Sequence, residues 1–377
     1  MLLDAFNQVE DPRVDRTKRY PLTEILFSAF IAILDGARSW AQISSFADSR
    51  LELLRKFLPF KNGIATDDTY SRVFSAIKPE SLEAAFRQFA QDLVRAQGKP
   101  TSLINIDGKQ MRGATAASGV TVHILSAWCH DCGLSLGQLR IADKSNEIPS
   151  IPVLLDQLDI SGKTITIDAM GTQKAIAKKI HDEDAHYVLA LKGNQGSLEN
   201  NGKEIASNYR PIDTFTAPPE LAKGCLYERS AQVFNIPRRF AHLAEDWPGI
   251  SRIVKITCIT TNKKKGVPED PDIRYYISNN KEFNAEQFLN ATRHHWGIEN
   301  GCHWHLDVSF DEDASRKYAG FSSENFSRML RLCLNAVKSV KFESPKDNKL
   351  SVICKCKKIL KSDKLISHLL YGIAAQN

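Results

Sequence analysis

Leu103-Ile104-Asn105-Ile106-Asp107-Gly108 and Thr164-Ile165-Thr166-Ile167-Asp168-Ala169 are the two stretches on which the fold turns. Each is a short apolar run that stops at an aspartate. Small residues follow, Gly108 in the first case and Ala169 and Gly171 in the second. Such runs read as buried strands. In an open α/β sheet, ligands gather beyond the carboxyl ends of the strands. Two acids at the ends of neighbouring strands face each other closely, which is costly unless a cation neutralises them. Magnesium, or manganese, suits such carboxylate oxygens and keeps positions open for phosphate and water. Two ions together can clamp the attacking and leaving oxygens of an in-line displacement. A single aspartate after a strand is more often a turn or cap residue. Two in matched contexts weaken that ordinary reading without removing it.

Around these stretches the chain alternates. Val122–Trp128 and Leu134–Ile141 read as strands joined by a turn at His130–Gly133. Ile148–Leu158 reads as a helix with Pro149 and Pro152 in its first turn, where proline is tolerated. Gln173–His181 follows as a helix, and His186–Leu191 as a strand ending in Lys192-Gly193-Asn194. The order β-β-β-α-β-α-β implies a sheet covered on both faces, an antiparallel meander beside a parallel part. That is the ribonuclease H-like arrangement. Residues 99–195 are therefore expected to form the first part of an α/β core. In 196–282 the alternation stops: a helix over Leu198–Asn208 and strands over Tyr227–Phe234, Ser251–Thr260 and Ile273–Ser278 suggest a β-rich insertion. Its polar loops include Lys263-Lys264-Lys265-Gly266. Residues 283–340 resume helix, over Asn284–Trp296 and, as an amphipathic helix, Glu324–Val340.

Residues 1–98 read as a small all-helical domain, with apolar residues at helical spacing in Leu22–Leu34, Trp40–Phe46 and Leu51–Leu58. Thr66 followed by Asp67 and Asp68 is a helix start. Two short helices joined near Gly63 fit a DNA-binding helix-turn-helix and fit a plain helical domain equally well. Residues 341–377 form a basic tail region in which Lys355, Lys357, Lys358, Lys361 and Lys364 crowd together. A solvated face is the ordinary reading of such a run, and phosphate contact the sharper one.

Composition narrows the classes. With 50 basic and 44 acidic side chains the formal charge is +6, which permits nucleic-acid binding without demanding it. The apolar run Ile25–Leu34 is too short to cross a bilayer. No basic region precedes an apolar stretch at Met1-Leu2-Leu3-Asp4, so a cytoplasmic protein, nucleoid-associated if it binds DNA, is expected. The Cys129/Cys132 and Cys354/Cys356 pairs lie too far apart for a zinc ribbon and read as reduced thiols.

The third acid is the difficult one. His295, Glu299 and His303 fall at helical spacing on one face. A zinc site of histidine and glutamate is possible there, although the metalloprotease spacing is absent. Asp307, Asp311, Glu312 and Asp313 crowd the same region, so spacing alone does not single out Glu299. Trp296 and Trp304 read as core residues, with stacking on a flipped base as the sharper alternative.

Six blocks resemble the ISAs-type insertion-sequence transposases, also called H repeat-associated proteins. They are Asp107-Gly108-Lys109-Gln110-Met111-Arg112-Gly113, Lys144-Ser145-Asn146-Glu147-Ile148, Ile167-Asp168-Ala169-Met170-Gly171, Ala190-Leu191-Lys192-Gly193-Asn194-Gln195, His295-Trp296-Gly297-Ile298-Glu299-Asn300 and Leu306-Asp307-Val308-Ser309-Phe310. Asp11-Pro12-Arg13 and Arg16-Thr17-Lys18-Arg19 resemble that family's opening. The resemblance implies a DDE transposase in which Asp107, Asp168 and Glu299 are catalytic and hold two Mg2+ or Mn2+ ions. It implies a ribonuclease H-like core with a β-rich insertion before the glutamate. It further implies metal-dependent hydrolysis at the element's ends and strand transfer of the freed 3′-hydroxyl. Terminal inverted repeats and target DNA are then the partners, and a homodimer on DNA the expected assembly. Lys109, Arg112, Lys192, Arg293, His295 and His303 are candidate DNA contacts, each with a salt-bridge, turn, core or capping role as the ordinary alternative.

The chain departs from the pattern in places. Ala65 and Asp67 stand where the family usually has proline and histidine. His295 and Leu306 stand where neighbouring transposase groups place arginine and lysine. The end from Lys341 is atypical. A DNA-binding or regulatory descendant without catalysis, or a general nuclease on the same core, are the rival readings.

Overall fold

The computed structural model describes residues 1–119, 121–141, 147–263 and 266–371. Lys144, Ser145 and Asn146 of the second block, and Lys264 and Lys265 of the polar loop, lie outside the described residues. In chain order the strands are β1 (Leu103–Gln110), β2 (His123–Cys129), β3 (Leu134–Ile141), β4 (Thr164–Ile167), β5 (His186–Leu191), β6 (Asp213–Thr216), β7 (Glu220–Ala222), β8 (Cys225–Asn235), β9 (Arg252–Asn262) and β10 (Asp272–Ser278). The chain forms two interleaved compact units. One comprises Met1–Pro100, Gly108–Asn146 and Glu299–Asn377; the other comprises Thr101–Asp107 and Glu147–Ile298. Five consecutive segments were expected from the sequence. By contact the chain crosses between units four times, after Pro100, after Asp107, before Glu147 and after Ile298.

The second unit is a mixed sheet in the order β1-β4-β5-β10-β9-β8-β6, with β7 also on β8. Strands β1, β4 and β5 are parallel, with Ile104 opposite Ile165 and Ile165 opposite Tyr187. From β10 onward the pairing is antiparallel. The parallel strands β1 up to Ile106, β4 and most of β5 are buried on both faces because helices cover them. One of these, Lys174–Asp182, buries Ile176, Ala177 and Ile180. The helix Ala285–His295 is started by Asn284, whose side chain accepts from the Gln287 amide while Gln287 caps it in return. Phe288 and Leu289 pack on Val233, Val254 and Ile256. The three-strand reading of the insertion missed β6 and β7, which are short and largely exposed and so carry no apolar pattern.

The first unit holds the N-terminal helices and the hairpin β2–β3, and β2 neighbours β1 where the latter runs on through Gly108–Gln110. The helix Leu22–Asp35 is buried from Leu22 to Leu34 apart from Thr23 and ends at Gly36, whose φ of 115° suits only glycine. Pro79 sits in the first turn of the helix Pro79–Gln97. The helix Ser322–Ser339 corrects the amphipathic reading of that segment, because its residues are buried on all sides through Val337. Its polar side chains meet partners from other elements. Arg328 bonds Glu83 at 2.7 Å, Arg331 bonds Glu312 at 2.9 Å, and Asn335 exchanges bonds of 2.9 and 2.8 Å with the Ser135 backbone. Buried charges persist only when paired in this way.

The C-terminal segment is not a frayed tail over its described part. Val352–Leu360 and Asp363–Tyr371 are helices that bury Val352, Cys356, Ile359, Ile366, Leu369 and Leu370. The lysines that prompted the basic-tail reading fill the outward face. Among the described residues, no helix is long and apolar enough to cross a membrane.

Candidate active site

Strand β4 stops at Ile167, whereas β1 runs on to Gln110. Asp107 is therefore not at the end of its own strand, as the sequence had suggested. It stands where the neighbouring strand runs out. Ile106 pairs with Ile167, so Asp107 and Asp168 occupy the next register step of two parallel strands. Alternation puts Asn105 and Asp107 on one face. On that face Asn105 donates to Thr166 Oγ1 at 2.6 Å, and Thr166 Oγ1 lies 3.0 Å from His295 Nδ1. His295 thus anchors the end of the helix Ala285–His295 on the strand that leads into Asp168.

The turn after β4 is tightly made. Asp168 Oδ1 accepts from the Gly171 amide at 3.1 Å. A Cβ on Gly171 would stand 2.2 Å from Ile167 Cγ2. Asn194 donates to the Ala169 carbonyl at 2.7 Å, Gln195 to that of Thr172 at 3.0 Å, and the Thr172 hydroxyl to that of Ala190 at 2.6 Å. The loops beyond β4 and β5 are stitched into one platform, with Lys192 exposed on it.

Glu299 begins a π-helical turn, Glu299–His303, that runs into the helix Trp304–Val308. Such turns displace side chains from the ordinary helical register and recur at functional sites. Gly301 makes this one possible against Trp128, because a Cβ there would come within 2.5 Å of the indole. Glu299 Oε2 and His303 Nδ1 are 3.6 Å apart, with His303 buried and Glu299 exposed. Glu299 and His303 each offer a ligand atom to a metal ion. A carboxylate and an imidazole suit a divalent cation; the oxygens suit Mg2+ and the nitrogen suits Mn2+ as well. His303, read from sequence as a DNA contact or a residue orienting Glu299, belongs with the possible ligands. Its spacing from Glu299 was the signal. Asp168 is not in this group, and one of its oxygens is engaged by its own turn.

The other candidates divide. Lys109 is buried, and its ammonium lies 2.7 Å from Asp307, 3.0 Å from Asp313 and 3.3 Å from Glu312. Burial works against that charge, but the surrounding carboxylates outweigh it and hold the pKa above the ordinary lysine range. Glu312 is fully buried; Arg331 and Lys109 outweigh its desolvation and keep it below the usual carboxylate range. Asp307 is pushed up by burial, with Lys109 offsetting only part. A phosphate contact by Lys109 would require breaking this network. Arg112 is exposed, 3.6 Å from Asp313. Arg293 is held by Glu220 at 2.7 Å on β7. Trp296 and Trp304, read as core, are each 52% exposed. The Cys129 thiol is pushed up to about 12 by burial and Cys132 is raised for the same reason, so burial disfavours the reactive thiolate at both.

Comparison with known proteins bears on the same residues. The model of the family "Transposase DDE domain" matches residues 94–336, and that of the "DDE_Tnp_1-associated" domain matches residues 3–90. YncI of Escherichia coli O157:H7 is 38% identical over 347 residues, covering 90% of this chain and 88% of the relative. The H repeat-associated YhhI of Escherichia coli (strain K12) is 33% identical over 342 residues, covering 89% of each. Among solved structures, a piggyBac transposase synaptic complex with hairpin DNA aligns at 12% identity and a TM-score of 0.43, covering 98% of this chain and 80% of that one. The chain belongs to the DDE-domain transposase family, among its H repeat-associated members.

Proposed function

We propose that the chain is the DNA transposase of a bacterial insertion sequence, which hydrolyses the phosphodiester bond at the element's ends and transfers the freed 3′-hydroxyl into target DNA. The observation that carries this reading is the pairing of Ile106 with Ile167, the last register step of β1 and β4, after which Asp107 and Asp168 follow directly in the chain. The closeness of Glu299 and His303 on one turn supports it. The parallel β1-β4-β5 set and the β3-β2-β1 order support a ribonuclease H-like core. On this reading β6–β9 are the insertion that precedes the glutamate.

Asp107, Asp168 and Glu299 would hold the divalent ions, with His303 orienting or joining Glu299. Bound there, such ions would neutralise the phosphate oxygens and supply an activated water. Lys192, exposed on the platform beyond β5, offers charge to a DNA phosphate. The rigidity of the platform and of the Gly301 turn favours positioning, which is most of what this chemistry asks of a protein. The enzyme acts as a homodimer bridging the two terminal repeats.

The test is cleavage of DNA carrying the element's terminal repeats with Mg2+ or Mn2+. Asp107→Ala, Asp168→Ala and Glu299→Ala should each lower the rate on the order of 10³-fold, whereas Asp307→Ala keeps most of it. DNA binding with no metal-dependent cleavage in the unaltered chain would mark a non-enzymatic descendant instead.

A further inference from the structure

The unit that contains the N-terminal helices also contains a cavity of about 610 Å³ that plays no part in the site above. It lies beside the segment that follows the Glu299 turn. Arg38 fixes this placement: its guanidinium donates to the Ser309 carbonyl at 2.9 Å and stacks 5.4 Å from the Phe310 ring. Three cations line the cavity, Arg38, Arg316 and Lys317, against one carboxylate, Asp311. Among the described residues none of the three is ion-paired. Arg38 donates to backbone carbonyls of Ile33, Ala37 and Ser309, and Lys317 to that of Arg38.

Two helices of full length start at this cavity. Ser39 caps the helix Trp40–Ser49, and Ser322 opens the helix Ser322–Ser339, and both Ser39 and Ser322 line the cavity, so the positive dipole ends of both helices lie at it. Its apolar wall is aromatic. Lys317 Nζ stands 3.7 Å from the Phe326 ring centre and 5.0 Å from that of Trp40. Burial, and then Arg38, pushes the Lys317 ammonium down to about 8, a situation an entering anion would relieve. Three cations against one carboxylate, two helix starts and an aromatic wall together make a phosphate site.

We propose that this cavity holds a backbone phosphate of a DNA strand, so that the N-terminal helices grip DNA beside the segment that carries Glu299. The proposal rests on the transposase reading and extends it to residues 38–42 and 316–317. It gives the helical domain a contact made by a pocket rather than by a recognition helix.

The experiment is a titration of a fluorescein-labelled duplex with the full chain, without divalent metal, over a range of NaCl concentrations. Arg316→Gln and Lys317→Gln should each weaken binding several-fold and reduce the slope of log affinity against log salt by about one, the release expected for one lost phosphate contact. Arg316 is exposed, so its replacement leaves the fold intact. Inorganic phosphate should compete with the duplex in the unaltered chain but less in the two variants. Equal affinity and equal slope in all three proteins would overturn the proposal, and so would phosphate competition undiminished in both variants. Cleavage of terminal-repeat DNA by the unaltered chain with Mg2+ is measured separately, so failure of the catalytic reading shows apart from the binding result.

Discussion

The turn that carries Asp168 and the turn that carries Glu299 do the same kind of work by different means. Each is pinned by a glycine that cannot accept a side chain, Gly171 against Ile167 in one and Gly301 against Trp128 in the other. The first lies at the end of a strand, where a register partner, Leu189 of β5, and the loop bonds of Asn194 and Gln195 hold it. The second is a π-helical turn packed against Trp128 of β2 rather than paired into a sheet. A carboxylate at a strand end is placed by hydrogen-bonded neighbours, whereas one on a helical turn is placed by what its backbone packs against. The lesson is that the second kind of acid depends on close packing and the first on pairing.

The comparison breaks most sharply at the glycines. Gly171→Ala and Gly301→Ala should each cost about a hundredfold in cleavage rate, since misplacement near 1 Å is worth that much. Gly193→Ala, where a Cβ would meet nothing within 4 Å, should keep the wild-type rate. If Gly301→Ala cleaves normally, the Glu299 turn is more compliant than its packing implies.

The support behind the two turns differs in charge as well. Lys109→Met leaves Asp307, Glu312 and Asp313 without their common cation and should destabilise the fold by about 3–5 kcal/mol, as removal of one member of a buried ion pair does. Lys192→Met, on the exposed platform, should stay within about 0.5 kcal/mol. Denaturant unfolding of the two variants measures the contrast directly.

A smaller effect is expected in acid. Glu312 is held below its ordinary value of 4.5 in the folded state. A carboxylate whose folded pKa is lowered contributes stability that is present above its unfolded pKa and is lost as pH falls through the folded one. Stability should therefore decline below about pH 4.5, and the decline should be shallower in Glu312→Gln. Asp307 acts in the opposite sense, because burial raises its pKa. An equally steep acid limb in Glu312→Gln would place the sensitivity elsewhere.

The same contrast governs what the sequence made legible. Asp107 and Asp168 stood out because β-strand alternation and a following small residue are local signals. The parallel strands, the helices flanking β4 and most of the N-terminal helices could be read in the same way. Glu299 could not be picked out by spacing, since a π-helical turn breaks the regular period and Asp307, Asp311, Glu312 and Asp313 compete with it. The inward turn of Lys109 was invisible for a related reason: its three acids lie about two hundred positions away in sequence. Arg328 and Arg331 made the helix Ser322–Ser339 look amphipathic, and only the facing Glu83 and Glu312 show that its polar side is buried. Trp296 and Trp304 misled in the other direction, as apolar residues at helical spacing that remain half exposed.

The central claim is that Asp107 and Asp168, which follow the last register pair of β1 and β4, hold a divalent cation. Mn2+ binding, followed by electron paramagnetic resonance on the full chain and on Asp107→Asn, Asp168→Asn and Asp307→Asn, tests it without requiring any DNA substrate. The account predicts that Mn2+ binding is lost or weakened at least about tenfold in the first two and kept in Asp307→Asn. Undiminished binding in Asp107→Asn would contradict it.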